Sequence, residues 1–98
     1  MKRPSESKFS NALRLVRRAR GLTQEDFDDV SSRVYVSALE RGIKQPTLAK
    51  VDALAGVLGV HPLTLLVLSY CREIDPREVQ AHLAAVASEV QQLSKASD

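Results

Sequence analysis

Residues 32–42 of the chain read SRVYVSALERG, and this stretch has the pattern of a short helix with a marked start and a marked end. Ser31 or Ser32 can cap its N-terminus, and Gly42 is typical of the left-handed residue that terminates a helix. The segment before it opens in a similar way, because Thr23 is followed three residues later by Asp26, as in a capping box. The stretch therefore predicts two helices joined by a tight turn.

The rest of the chain carries similar start and stop signals, and every periodic segment in it has helical spacing. Pro46, Pro62 and Pro76 stand where helices begin, whereas Gly21 and Gly59 stand where helices end. Six helices are predicted, over about 8–20, 23–30, 32–41, 47–58, 62–70 and 76–93. The residues predicted to face the core recur at spacings of three and four: Phe9, Ala12, Leu13, Val16, Ala19, Phe27, Val30, Val36, Leu39, Leu48, Val51, Leu54, Ala55 and Leu58.

The composition limits the chain to one globular domain. It has 98 residues, of which 44% are hydrophobic and 27% are charged. Cys71 stands alone, which excludes an intramolecular disulfide and fits a reducing compartment such as the cytoplasm. No apolar segment follows the basic N-terminus, so no secretory signal is expected. Residues 53–71 carry no formal charge, but Gly59 and Pro62 divide them into two short helices, so no membrane span is expected.

Positive charge is concentrated at one end of the chain. Residues 1–20 contain seven Lys or Arg and a single Glu, whereas residues 21–41 contain five acidic and two basic side chains. Residues 1–7 are expected to form a flexible basic arm. This asymmetry is compatible with a polyanionic partner, and equally with a charged surface helix that continues into a frayed tail.

The last predicted helix has the spacing of a coiled-coil seam. Its apolar residues are separated by four, three, four and three positions. Residues 73–98 are therefore either a dimerisation element or a helix that packs on its own domain. The preceding helix is apolar on nearly every side, which favours a dimer. The residues predicted to form the dimer contact are Leu65, Leu68, Val79, Leu83, Val86, Val90 and Leu93.

Three motifs together resemble one known family. These are LRLVRRARGLTQEDF at 13–27, SRVYVSALERG at 32–42 and PTL at 46–48. Their combination is similar to the Cro and phage-repressor type of helix-turn-helix protein, also called the xenobiotic-response-element family, over about residues 9–68. The resemblance implies an all-α fold, in which residues 8–72 form a five-helix domain like that of lambda repressor, with a C-terminal helix added.

The resemblance also implies roles for individual residues. The helix after Ser32 would be the recognition helix, and Arg17 of the first helix would brace it by pairing with Glu40. The positions expected to face base edges are Arg33, Val34, Ser37 and Ala38. The positions expected to contact phosphates are Gln24, Ser32, Tyr35, Arg41 and Lys44. Between Gln24 and Ser32 the chain is about two residues shorter than the usual family pattern, which affects the register of the recognition helix.

The function expected from these features is sequence-specific binding of double-stranded DNA. A transcriptional repressor that acts as a homodimer on an inverted repeat fits best, without a cofactor. An enzyme is not expected, since the chain has no nucleophile motif and no glycine-rich phosphate loop. Cys71, His61 and His82 show no metal-ligand spacing. The alternatives are a protein-interaction adaptor that keeps the fold, and an antitoxin-type autoregulator with a protein partner.

Overall fold

A computed structural model of the chain describes residues 8–96, and the basic arm expected at 1–7 lies outside them. The described residues form five α-helices and one 3₁₀ helix, without a strand. The α-helices are α1 (Phe9–Ala19), α2 (Arg33–Glu40), α3 (Leu48–Leu58), α4 (Pro62–Tyr70) and α5 (Pro76–Ala96), and the 3₁₀ helix spans Gln24–Phe27. The all-α prediction is confirmed, and α2 is the helix predicted over 32–41.

The ends of α2 are fixed by the residues that the sequence marks for that purpose. The Ser32 side chain accepts a hydrogen bond of 3.1 Å from the N–H of Tyr35, which caps the first turn. At the other end Gly42 has φ +75°, a conformation that disfavours residues with a Cβ atom. The N–H groups of Gly42 and Ile43 bond back to the carbonyls of Leu39 and Ala38, which satisfies the last turn.

The second predicted helix is shorter and tighter than expected. It is a 3₁₀ helix that ends at Phe27, and turns occupy the residues up to 31. The predicted capping box is present, with the N–H of Thr23 donating to the Asp26 carboxylate at 2.6 Å. A 3₁₀ helix rises about 2.0 Å per residue against about 1.5 Å for an α-helix, so it covers the same distance with fewer residues. A more extended helix of this kind suits the shortened segment that the resemblance implies before Ser32.

The core lies between α1, the 3₁₀ helix and helices α2 to α4. Phe27 is completely buried at its centre, so the short second element is anchored by one large side chain. Two residues predicted to face the core are instead exposed, because they lie at helix ends where little packs against them: Ala19 in the last turn of α1 and Leu48 at the start of α3. The fully buried large side chains are Phe27, Leu13, Leu39, Leu54, Leu65, Val36 and Val51.

Helix α5 is long and has no buried residue. It contacts α4 near its first turns, and its apolar residues Leu83, Val86, Val90 and Leu93 are exposed in the single chain. The prediction of a dimer contact is wrong for Leu65, which is 0% exposed because α4 turns this residue inward against the core. Leu68 is half-buried and also packs against the core.

Within residues 8–96, no single helix is both long and apolar enough to cross a membrane. Helices α3 and α4 reach the required length and composition only as a pair, and the pair is bent by 110°.

Candidate nucleic-acid interface

Helix α2 is fastened to α1 by a bidentate ion pair. The Nε of Arg17 donates to Oε2 of Glu40 at 2.6 Å, and its Nη2 donates to Oε1 at 2.9 Å. The third guanidinium nitrogen, Nη1, donates to the carbonyl of Leu22 at 2.9 Å. The guanidinium therefore joins the end of α2, the body of α1 and the segment that leads into the 3₁₀ helix. This is the pairing that the resemblance implies for these two residues.

Glu40 is the centre of a larger network than the sequence indicates. Its carboxylate also accepts a bond of 3.2 Å from Nε2 of Gln24, and its backbone carbonyl accepts one of 3.3 Å from Arg14. Burial opposes ionisation of this side chain, which is 4% exposed. The hydrogen bonds from Arg17 and Gln24 and the charges of Arg17 and Arg14 outweigh it, so the pKa of Glu40 lies below its usual range. The bond from Glu40 raises the pKa of Arg17 in turn.

The exposed side of α2 forms a shallow depression. It is lined by Gln24, Arg33, Val34, Ser37 and Arg41. Val34 is 79% exposed, so its side chain is free to contact a partner. Three of the four residues expected to face base edges therefore share one accessible surface.

The fourth residue, Ala38, is not on that surface. It is 6% exposed, so the prediction that it faces base edges is wrong. The chain folds back past it after Gly42, and the N–H groups of Ile43 and Lys44 both bond to its carbonyl. Because this return depends on backbone hydrogen bonds, the spacing of side chains along the helix does not reveal it.

The residues expected to contact phosphates lie in different surroundings. Arg41 and Lys44 are exposed at the end of α2 and in the following loop. Ser32 caps α2 through its oxygen, and its hydroxyl hydrogen remains available as a donor. Gln24 uses one amide hydrogen for Glu40, and the second is still available. Tyr35 is half-buried, packs against the core and has the ammonium group of Lys50 5.3 Å from its ring centroid.

Lys50 makes a structural hydrogen bond that was not predicted from the sequence. Its Nζ donates to the carbonyl of Val30 at 2.8 Å, which ties α3 to the turn between the 3₁₀ helix and α2. No sequence signal identifies this contact, because its acceptor is a backbone oxygen 20 positions away. The bond supports the turn that leads into α2.

An acidic side chain lies beside the leading candidate for base contact. Nη2 of Arg33 is 3.1 Å from Oε1 of Glu25, and both side chains are more than half exposed. An ion pair this exposed contributes little to stability and exchanges readily with solvent or another anion. The neighbouring Asp26 is turned back toward Thr23, away from α2. The guanidinium of Arg33 is therefore held near the surface by a weak intramolecular contact.

Comparisons with known proteins agree with this geometry. A family model described as Helix-turn-helix matches residues 13–65, from α1 into α4. A protein of Sinorhizobium fredii named uncharacterized HTH-type transcriptional regulator y4dJ is 46% identical in an alignment of 59 residues, and the match covers 58% of this chain and 75% of that protein. No solved structure matches the chain. The family match covers more than half of the residues, so the chain belongs to the helix-turn-helix family of the Cro and phage-repressor type, whose fold serves DNA-binding transcription regulation.

Proposed function

We propose that the protein binds a specific inverted repeat in double-stranded DNA as a homodimer and represses transcription by occupying a promoter. The observation that carries the proposal is the exposed side of α2, which presents Arg33, Val34 and Ser37 while Arg17 and Glu40 fasten its other side. A helix held in this way enters the major groove without having to order itself on binding. This lowers the entropic cost of recognition.

Base recognition is assigned to Arg33, Val34 and Ser37. A guanidinium donates two hydrogen bonds to O6 and N7 of guanine, and the hydroxyl of Ser37 can donate to or accept from several bases. Val34 fits against a thymine methyl, since it is apolar and exposed. On approach to DNA, Arg33 would exchange the carboxylate of Glu25 for the base edge.

Phosphate contacts are assigned to Gln24, Ser32, Arg41 and Lys44, with Tyr35 beside them. Arg41 and Lys44 provide exposed positive charge at the end of α2, where Gly42 turns the chain. Gln24 keeps one free amide hydrogen at the start of the 3₁₀ helix. These contacts would set the position of α2 in the groove and contribute most of the affinity that does not depend on sequence.

The homodimer is supported by the apolar surface of α4 and α5. Leu63, Leu66, Val67, Tyr70, Leu83 and Val86 line a groove between the two helices, and the seam continues along α5 to Val90 and Leu93. Exposed apolar residues in a continuous row mark an interaction surface. We assign this surface to the same helix pair of a second copy, because a seam with heptad spacing is complementary to itself.

With two-fold symmetry, the two copies of α2 would enter successive major grooves about 34 Å apart. The operator would then consist of two inverted half-sites. Because such a dimer covers the DNA on one side over about one helical turn, it would exclude other proteins from a promoter that contains its site.

Two observations bear on the alternatives. The first favours both a protein-interaction adaptor and an antitoxin-type autoregulator, and the second favours the adaptor alone. The apolar groove is open, and Glu25, Asp28 and Asp29 place exposed negative charge close to α2. These charges would oppose a phosphate backbone. In the adaptor, the groove would hold a protein partner and DNA binding would be absent. In the autoregulator, a protein partner and DNA would bind to different surfaces.

The salt dependence of DNA binding distinguishes a DNA-binding protein from an adaptor. The affinity of the full chain for a random-sequence duplex is measured by fluorescence anisotropy at a series of salt concentrations. We expect the affinity to fall steeply with salt, and Lys44→Ala to reduce the slope of log K against log salt by about 1. The matched control is Lys95→Ala in the last turn of α5, which should leave the slope unchanged. The absence of binding at low salt would favour the adaptor.

A further inference from the structure

Three side chains that commonly bind metal ions meet where α4 is joined to α5. A ligand atom of each of Cys71, Glu78 and His82 lies within 4.8 Å of the others. Cys71 directly follows α4, and Glu78 and His82 lie one turn apart on α5. Cys71 lies seven positions before Glu78 and eleven before His82. This spacing matches no familiar metal motif, and no metal ligand was therefore expected at Cys71 or His82 from the sequence.

The carboxylate of Glu78 is held in place by the connecting segment. Its Oε2 accepts the N–H of Arg72 at 2.7 Å, and its Oε1 accepts the N–H of Glu73 at 3.1 Å. Each carboxylate oxygen has a further lone pair, so these bonds orient the group without exhausting its capacity to bind a cation. Hydrogen bonds that fix a ligand in this way are typical of metal sites.

The separations are close to those of tetrahedral zinc coordination. Bond lengths of about 2.0–2.3 Å to zinc correspond to separations of about 3.3–3.7 Å between neighbouring ligand atoms. Nε2 of His82 is already 3.7 Å from Oε2 of Glu78. No separation in the group exceeds 4.8 Å, so the atoms would have to approach by about 1 Å at most. A rotation of the Cys71 or His82 side chain can provide such a movement.

The surroundings also suit a cation. Cys71 is buried, whereas the side chains of Glu78 and His82 are 26% and 39% exposed, so one side of the cluster is open to water. Glu78 and Asp75 place negative charge near the sulfur of Cys71. A divalent ion would replace the thiol proton, which passes to solvent.

We propose that Cys71, Glu78 and His82 form a site for a divalent transition-metal ion of the zinc type, with water as the fourth ligand. A thiolate, an imidazole and a carboxylate are ligands that zinc accepts, whereas magnesium and calcium favour oxygen ligands alone. The ion would fasten the first two turns of α5 to the end of α4. Since α5 has no buried residue, this link would determine the direction in which its apolar seam points.

The site itself is independent of the function proposed above. Its effect on the seam would be regulatory only if the homodimer exists, and that consequence rests on the proposed function. The test therefore uses metal binding by the full chain without DNA, so that its failure and the failure of DNA binding are separate results.

Cobalt(II) is the probe, because it replaces zinc and absorbs light in a way that reports its ligands. The chain has one cysteine, so a sulfur-to-cobalt charge-transfer band can arise only from Cys71. We expect this band, the intense visible absorption of tetrahedral cobalt, one ion per chain, and loss of both signals when zinc is added. An absent band, or one ion shared by two chains through sulfur alone, would overturn the proposal.

Two variants test the ligands Cys71 and His82, and a third is their control. Cys71→Ser should abolish the charge-transfer band, and His82→Gln should weaken zinc binding at least about tenfold. The matched control is His61→Asn, which removes the other histidine and leaves a side chain that can still cap α4. Circular dichroism shows whether each variant is folded, and His82 is exposed enough for its substitution to be tolerated. If folded His82→Gln binds zinc as tightly as the parent, the assignment is wrong.

Discussion

Arg17 and Glu40, which are 23 positions apart in sequence, form two hydrogen bonds of 2.6 and 2.9 Å between α1 and the last residue of α2. The side chains are 13% and 4% exposed, so water screens this ion pair only weakly. The same guanidinium bonds to the carbonyl of Leu22, and the same carboxylate accepts from Gln24. The pair therefore sets the position of α2 relative to α1 and to the 3₁₀ helix.

We expect Arg17→Ala to lower stability and DNA binding together. Removing the guanidinium leaves the buried Glu40 without its charged partner, which costs about 3 kcal/mol in comparable pairs. Urea unfolding followed by circular dichroism measures the loss of stability, and fluorescence anisotropy measures the loss of binding. Arg18→Ala is the matched control, since it removes the same charge from an exposed neighbouring position. A folded Arg17→Ala protein with the stability of the parent but no DNA binding would assign Arg17 to the DNA contact instead.

The free energy of unfolding should depend on pH through the ionisation of the Glu40 carboxylate. Its pKa is lower in the folded protein than in the unfolded chain, so the ionised carboxylate stabilises the fold at neutral pH. That contribution is complete above the unfolded pKa of about 4.3 and is lost as the pH falls through the lower folded value. The free energy of unfolding of the parent should therefore exceed that of Glu40→Gln most at pH 7, and the difference should shrink in acid.

The comparison with Glu40→Gln isolates this residue. Glu78 also has a lowered pKa, because it accepts the backbone N–H groups of Arg72 and Glu73, but it titrates in both proteins and its contribution cancels. A difference in unfolding free energy that stays constant between pH 7 and pH 3 would show that the charge of Glu40 is not what stabilises α2.

We expect Glu25→Gln to strengthen DNA binding about twofold to fivefold, as is typical when an exposed charge pair is changed. The substitution removes a negative charge near the proposed phosphate contacts and releases Arg33 from its partner at 3.1 Å. Glu73→Gln, which changes the same charge in the exposed segment between α4 and α5, is the control. Weaker binding by Glu25→Gln would mean that the carboxylate positions the Arg33 side chain for its contact.

Most of the fold can be predicted from the residues that mark the starts and ends of helices in the sequence. Helix capping depends on neighbouring residues, so it can be predicted from the sequence. Ser32 and Thr47 are N-caps as their residue types suggest, Pro62 begins α4, and Gly42 follows the end of α2 with a positive φ. The 3₁₀ helix at Gln24–Phe27 could not be predicted in the same way. Its form depends on the number of residues available between two fixed points, and only the folded core defines those points.

The sites were less predictable, since they depend on contacts between distant parts of the chain. The exposure of Arg33, Val34 and Ser37 follows from helical spacing, whereas the burial of Ala38 follows from the return of the loop after Gly42. The bond from Gln24 to Glu40 and the cluster at Cys71 join residues on different elements. Neither has a local signal in the sequence.

We expect Val90→Glu to dissociate the proposed homodimer without unfolding the single chain. Val90 lies on the exposed seam of α5, and a charge there would have to be buried between the two copies. Ser88→Glu is the matched control, because it introduces the same side chain on the opposite, exposed face of the helix. Sedimentation velocity measures the mass of each protein. A Val90→Glu protein that remains a dimer would exclude this seam as the interface.

Whether α2 reads DNA through Arg33 is tested by selecting bound sequences from a random pool of duplex DNA, with Arg33→Ala carried through the same selection beside the parent. We expect the parent to enrich an inverted repeat with half-sites about one helical turn apart. We expect Arg33→Ala to lose its preference at one base pair in each half-site, a difference of about 1–3 kcal/mol. If no sequence is enriched, or both proteins select the same repeat with equal preference, α2 does not read DNA through Arg33.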